Sequence, residues 1–238
     1  MSGHAGALAM VAGRLERHLL PPESMPLSEY LQKHLVLIAG PFAGQLWTAL
    51  GAPYLREIAD CLGEEHPCNR VVVRKSQQTG VSILALGWML YIADREPANT
   101  LYGGPGGDFL RDLAGQKFGP LIAAWQKRMR RVVIEPQTSR SGAGSTTFEK
   151  RFPGGYVAFV NANSATDLAS KTAKKGVKDE FSKWQYIPGV GDPSTLFEGR
   201  FTAFRRTKDF KIFELSTPEV DSGDEDGAIE AVREVTLP

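Results

Sequence analysis

The sequence predicts an α/β domain built on a mostly parallel sheet flanked by helices. Three observations carry that prediction. Residues 70–74, Arg-Val-Val-Val-Arg, form a short β-branched run of the kind that makes a buried strand. A polar loop (75–80) follows, and residues 81–94 are apolar nearly all round, as suits a central helix covered on both sides. Strand-like segments then alternate with helical ones along the chain, the order that builds parallel sheets.

Taken in order, the first 25 residues read as an N-terminal arm, stopped by Pro21-Pro22. Ser28 is placed as the N-cap of a helix running to about residue 38, with Glu29 in its first turn and Gly40-Pro41 breaking it. Residues 54–62 carry Leu55, Ile58, Ala59 and Leu62 at helical spacing. After the 70–74 strand and 81–94 helix, residues 99–102 predict a second strand ending in the Gly-rich turn 103–107. Residues 108–130 predict a helix broken near Gly119-Pro120, and residues 131–134 a short strand. Residues 137–147 are rich in Ser, Thr and Gly and read as a loop. Residues 147–152 and 156–160 read as a hairpin pivoting on Pro153-Gly154-Gly155. Further strand ends fall at 175–180 and 211–215, and the acidic stretch 221–226 reads as an exposed linker. The expected organisation is an arm and helical extension over 1–48, one α/β domain over 49–220, and a tail over 221–238.

Composition narrows the function classes. The chain has 238 residues, enough to bury a substantial core, and its formal net charge of +1 argues against a histone-like binder that works by bulk phosphate neutralisation. Its two cysteines, Cys61 and Cys68, have neither CxxC nor zinc-knuckle spacing and read as reduced structural thiols. The apolar run 81–93 is too short to span a bilayer, and no signal peptide is visible, so a soluble intracellular protein is expected.

The loop after the first strand carries the chemistry. It reads Lys75-Ser76-Gln77-Gln78-Thr79-Gly80-Val81-Ser82. A standard phosphate loop is GxxxxGK[ST], whose backbone N–H groups cradle phosphates while a lysine reaches the β/γ oxygens and a hydroxyl meets magnesium. Here Gly80 and Ser82 hold the second glycine and the hydroxyl positions, Val81 replaces the lysine, and Lys75 stands at the first glycine. The chemistry needs a cation near those oxygens rather than a lysine at one sequence position, and Lys75 has a stem long enough to fold back over the loop. The following helix offers its N-terminal dipole to an anion. On these residues alone two readings stand: a deviant phosphate loop, or a strand–turn–helix with a surface lysine and a capping serine.

The segment resembles the deviant Walker A, KSxQxGxS/T, of the gpA-type phage terminase large subunits, the lambda-like DNA-packaging motors. Other landmarks follow in that family's order. Ala52-Pro53-Tyr54-Leu55-Arg56-Glu57-Ile58 is similar to its Pro-Tyr-Leu-Arg-Glu segment, and residues 154–168 to its Gly-Gly strand and Ala-Asn-Ser turn. Asp179-Glu180 is similar to its Walker B acidic pair, and Ser216-Thr217-Pro218 to its coupling motif. The resemblance implies a P-loop NTPase of the ASCE or RecA-like type with ATP and Mg²⁺ as cofactors. It implies that Ser76, Gln77, Gln78, Thr79, Gly80 and Val81 line the phosphates with Lys75, that Tyr54 meets adenine, and that Ser82 and Asp179 hold Mg²⁺. It further implies that Glu180 polarises the attacking water and that Ser216 and Thr217 sense the γ-phosphate. Double-stranded DNA, the portal of the procapsid, a small terminase subunit and further copies in a ring are the implied partners, in the host cytoplasm.

Two departures shape the expectations. Before Asp179 the chain reads Ala173-Lys174-Lys175-Gly176-Val177-Lys178, where a Walker B strand is ordinarily apolar, so the strand is expected to be distorted and partly exposed, or hydrolysis weakened. This, with Val81 in place of the usual loop lysine, motivates an alternative: a weakly active or inactive terminase fragment that binds DNA, portal or small subunit. Family members continue into an RNase H-like nuclease, whereas this chain ends at Pro238, so no DNA cleavage is expected. Arg140, Arg200, Arg205 and Arg206 are candidates for an arginine acting in trans. The basic groups Lys127, Arg128, Arg130, Arg131 and Lys171, Lys174, Lys175, Lys178 read as solvated faces or DNA contacts.

Overall fold

The computed structural model describes residues 25–131, 133–136, 144–169 and 171–217. The expected arm, the 137–143 part of the loop, Arg140, Pro218 and the tail lie outside these residues. Six strands form one sheet: β1 (Arg70–Arg74), β2 (Thr100–Gly104), β3 (Glu149–Phe152), β4 (Gly155–Asn161), β5 (Lys175–Asp179) and β6 (Lys211–Ser216). Their spatial order is β1-β6-β5-β2-β4-β3, all parallel except β3, which is antiparallel to β4 at one edge. Both faces are buried because alternate residues of each strand serve opposite helical layers. One face meets α1 (Leu27–His34), α2 (Tyr54–Leu62), α3 (Val81–Arg95), α4 (Gly107–Asp112) and α5 (Gly119–Met129), around Trp88, Tyr102, Phe159 and Phe213. The other meets α6 (Ala165–Ala169), α7 (Pro193–Gly199) and α8 (Thr202–Arg205), around Leu101, Val160, Phe197, Phe201 and Ile212. No described helix is long and apolar enough to cross a membrane.

Helix α3 is buried along almost its whole length, as its composition requires, and α1 crosses it so closely that a methyl on Gly87 would meet Leu31 at 2.7 Å. The hairpin forms as the sequence predicts, with Phe152 opposite Gly155.

Several expectations are corrected. Ser28 is a buried residue inside α1 rather than its N-cap; Pro26 precedes the helix, and the Ser28 N–H donates to Asp60 Oδ1. That helix ends at His34 because Val36 instead pairs with Leu46. The 108–130 segment is not broken at Pro120. A π-helical stretch, Leu113–Phe118, joins α4 to α5 and sets Pro120 in the first turn of α5, where its missing N–H has no cost. The described residues Arg131, Val133 and Ile134 are not a strand; the N–H groups of Val133 and Ile134 donate to Gln126 Oε1.

The largest correction concerns β5. It is neither distorted nor exposed: all five residues are buried and in parallel register with β2 and β6. Its lysines are inside and paired. Lys175 Nζ lies 2.9 Å from Glu96, and Lys178 Nζ reaches Ser194, Glu198 and Glu214 at 2.8, 2.5 and 3.1 Å. Arg70 joins the same two glutamates. A buried charge is tolerated only when paired and hydrogen-bonded, and each of these is. Gly176 has its own reason, since a Cβ there would sit 2.5 Å from the Phe201 ring. Lys171 pairs with Glu149, and Lys174 with Glu64 and Asp209, so the run is no solvated face.

Candidate active site

Three neighbouring strands, β1, β6 and β5, end on the same carboxyl edge of the sheet, and each delivers a predicted residue there. Open parallel sheets present ligand sites at such edges. Lys75 follows β1 directly; its N–H donates to the Ser216 carbonyl at 2.9 Å, which extends the ladder one residue and turns the side chain inward. The buried Lys75 ammonium donates to Glu180 Oε1 at 2.7 Å and to Thr217 Oγ1 at 3.3 Å. Residues 105 and 142 positions apart thus meet at one point.

The loop itself is shaped by backbone geometry. Gly80, at φ +83°, caps α3 in the left-handed region, and its carbonyl accepts from the Leu84 N–H at 3.1 Å. Gln78 also takes positive φ, +60°, and Gln77 and Gln78 are exposed. Thr79 Oγ1 donates to the Ser76 carbonyl at 3.2 Å. Val81 is 1% exposed and belongs to the core, which explains the departure from the standard pattern: a lysine there would point into the apolar interior. Only the backbone of Val81 faces the loop. Ser82 sits half-buried in the first turn of α3. At the opening of α2, Tyr54 is half exposed and donates its hydroxyl to the Thr79 carbonyl at 2.9 Å, so this ring flanks the loop.

Asp179 and Glu180 end β5 in different environments. Asp179 is buried, accepting from the Tyr102 hydroxyl at 2.6 Å and from the Glu180 N–H at 2.9 Å. Burial pushes its carboxyl above the usual range, against the Tyr102 hydrogen bond and the Lys75 charge. The same burial and Asp179 push the Tyr102 hydroxyl well up, so it remains a donor. Glu180 adopts the left-handed region, φ +49°, a strained conformation for a non-glycine residue. Burial raises its carboxyl, but Lys75 and then Lys183 outweigh that and hold it below the usual range. Its Oε2 is buried without an aligned hydrogen bond, though Lys183 Nζ lies 3.2 Å away.

The oxygen donors fit a hard divalent cation. Asp179 is a buried carboxylate with no ion pair to a described ammonium, and a cation beside it would restore the charge that burial disfavours. Among the described residues no group of three or more His, Cys, Asp or Glu gathers as an all-protein metal cage.

The turn after Glu180, a 3₁₀ segment Phe181–Lys183, is bolted to β6. The Ser182 N–H donates to Ser216 Oγ at 2.9 Å, and Ser182 Oγ donates to the Thr217 carbonyl at 3.1 Å. Sequence reasoning missed Tyr102, Ser182 and Lys183. Only Lys183 left a signal, three residues after Glu180; the other two are brought in by strand order. Of the candidate trans arginines, which would serve a neighbouring copy's site, Arg200 donates to the Ala169 carbonyl, Arg205 pairs with Glu198, and Arg206 is exposed. In the other basic group, Arg128 donates to the Lys33 carbonyl and Arg131 pairs with Asp94. Cys61 and Cys68 are free and buried.

Comparison with known proteins follows the same lines. No curated protein matches the chain significantly. Among solved structures, the HK97 bacteriophage large terminase is similar with a TM-score of 0.60 at 11% identity, covering 80% of this chain and 37% of that one. The Thermus phage P74-26 large terminase ATPase domain (TM-score 0.41, 16% identity) covers 64% of this chain and 61% of that one, and the Phi-28 gp11 DNA packaging motor (0.44, 15%) covers 63% and 46%. The chain thus spans less than two thirds of each of these structures, and the HK97 likeness establishes the fold alone. The family model "Phage terminase large subunit gpA, ATPase domain" matches residues 42–234, most of the sequence. This chain belongs to the gpA family of phage terminase large subunits and carries that family's ATPase domain.

Proposed function

We propose that the chain is the ATP-hydrolysing portion of a DNA-packaging motor, working with Mg²⁺ to drive double-stranded DNA into a procapsid. The observation that carries this is the meeting of Lys75, Glu180 and Thr217 at the carboxyl ends of three adjacent strands. Lys75 supplies the cation for the β/γ oxygens from the front of the loop, where Gly80 allows close approach and α3 presents its N-terminus. Ser82 and Asp179 are the residues that would hold Mg²⁺, which when bound neutralises charge building on the phosphates. Glu180, kept ionised by its two lysines, orients the attacking water and takes its proton. When a triphosphate draws Lys75 away, Glu180 is released from that contact toward the water, and Thr217 loses its own contact with the same ammonium. Thr217 therefore registers phosphate occupancy, and through Ser182 and Ser216 the change reaches the turn beyond Glu180. Tyr54, flanking the loop, is assigned to adenine. The domain is proposed to run over 49–220, between the 1–48 extension and the 221–238 tail. It is proposed to act on the portal as a ring of copies with a small subunit, in the host cytoplasm.

The alternative, a weakly active or inactive binding module, is motivated by Val81 and by Lys174–Lys178; the burial of Val81 in the core and the pairing of Lys175 and Lys178 within β5 support the active reading instead. The deciding experiment is ATPase activity with and without linear duplex DNA and Mg²⁺. Mg²⁺-dependent turnover is expected; calorimetry that detects no ATP affinity would overturn the proposal.

A further inference from the structure

One side chain of β2 reaches the acidic end of β5. Tyr102 pairs with Val177 across the two parallel strands, so its ring shares the sheet face of Val177 and Asp179, the face that α3 covers. Asp179 stands two residues beyond Val177, about 6.6 Å along the strand. A tyrosine ring laid along the sheet spans that step, and a serine or threonine hydroxyl does not. The Tyr102 hydroxyl donates to Asp179 Oδ2 at 2.6 Å, short as hydrogen bonds to a carboxylate are. Its ring has no room to swing, being 0% exposed with the ring of Phe159, its partner on β4, centred 5.4 Å away. The other carboxylate oxygen, Oδ1, accepts from the Glu180 N–H at 2.9 Å, and the Trp184 indole N–H donates to the Asp179 carbonyl at 3.0 Å. Of these three contacts only the first reaches across from another strand.

We propose that Tyr102 is a positioning residue for the divalent cation, its hydroxyl fixing the rotation of the Asp179 carboxylate that would hold the ion. The inference rests on the motor reading above and deepens it. A carboxylate held at one oxygen by its neighbour's N–H still turns about its last side-chain bond. A second donor, on a ring clamped in the core, removes that freedom before the ion arrives, so the ordering cost is not met on binding. Each oxygen keeps acceptor capacity, because an ionised carboxylate offers about four lone-pair sites and these contacts use two. Tyr102 acts through Asp179 and has no other described hydrogen-bond partner at the site.

The test uses Tyr102→Phe, which removes the hydroxyl and keeps the ring. Calorimetry measures affinity for a non-hydrolysable ATP analogue with Mn²⁺, which carboxylates accept as they accept Mg²⁺, and again in EDTA. The ratio of the two affinities is the metal's share of binding. In Tyr102→Phe that ratio is expected to fall by about 10–100-fold, the usual worth of a group that orients a metal ligand, while affinity in EDTA stays at the wild-type value. A tyrosine that only supported the fold would lower both affinities together and leave the ratio alone. Asp179→Asn should lose the metal's share, and adding Tyr102→Phe to it should take away nothing more, because the hydroxyl acts through that carboxylate. A wild-type ratio in Tyr102→Phe, or a further drop in the double variant, overturns the proposal. Should circular dichroism show Tyr102→Phe unfolded, Phe159→Leu carries the test by unpacking the ring with the hydroxyl in place; a lowered ratio is expected, and an unchanged one overturns the proposal. A wild type that binds the analogue under neither condition overturns the motor reading and this inference with it. An unaltered ratio in Tyr102→Phe, beside a wild type that needs the metal, overturns this inference alone.

Discussion

The Lys75 ammonium lies 2.7 Å from Glu180 Oε1, so the phosphate-loop cation and the carboxylate beside the acidic strand neutralise one another at the carboxyl edge of the sheet. Neither residue has this partner by sequence proximity. The contact exists because β6 lies between β1 and β5 and all three strands end level. On the proposed reading this contact is a resting state, in which a triphosphate would displace Glu180 from Lys75 before either acts.

Replacing Lys75 or Glu180 by alanine is expected to remove that machinery while leaving the sheet intact. Loss of a charge-stabilising group at a phosphoryl-transfer site costs about 10²–10³ in rate, and ATPase assays on each variant should read at least that. Circular dichroism should be unchanged. Turnover by Lys75→Ala near the wild-type rate would remove the phosphate-loop assignment.

Lys178→Ala should be among the most destabilising single changes in the domain. It leaves Glu214 with Arg70 alone and Glu198 with Arg70 and Arg205, and opens a hole in a strand with no exposed residue. Breaking a buried pair from one side costs roughly 3–5 kcal/mol. Urea denaturation measures this, and a loss under about 1 kcal/mol would mean water already reaches the cluster.

Acid should unfold the protein partly through Glu198. Burial raises that carboxyl, but Lys178 and then Arg70 outweigh it and hold it below its ordinary 4.5. A depressed folded value means its stabilisation is complete above 4.5 and drains away as pH falls through the lower folded value. Asp179 acts in the opposite sense: its raised value makes the fold favour the protonated acid, so its cost appears as pH rises. Glu198→Gln should therefore flatten the acid limb of a stability–pH curve measured by chemical denaturation. A limb unchanged in steepness would assign the acid sensitivity elsewhere.

Arg130 caps α5 in the left-handed region, φ +53°, with its N–H on the Gln126 and Lys127 carbonyls. Glycine takes that conformation without a Cβ penalty, so Arg130→Gly should stabilise the domain by about 0.5–1 kcal/mol. A thermal-melt shift upward checks it. No change would show that the arginine's charge at the helix C-terminus offsets the backbone strain.

Local chemistry made much of this protein legible as sequence. The β-branched run before Lys75, the all-round apolar character of α3, the helical spacing of α2 and the Pro-Gly pivot of the hairpin each specify their own backbone state within a few residues, and each element forms, although β1 lies at a sheet edge with only Val71 buried rather than as the buried strand expected. The order of motifs placed the chain in its family. Charge in β5 misled, because a lysine's preference for water is a local property and its rescue by Glu96, Glu198 and Glu214 is not. The same holds for Pro120, whose helix continues because a π-turn upstream absorbs it.

Sequence alone determined which residue types could handle a phosphate: a lysine, a glycine, a hydroxyl and an acidic pair in the right succession. Only the tertiary structure decided which of them meet. Strand order sets Thr217 between Lys75 and Glu180 and aims Tyr102 at Asp179. The physical reason is that sequence encodes the short-range preferences of each segment, whereas these encounters span from 77 to 142 residues and come from packing two helical layers on one twisted sheet.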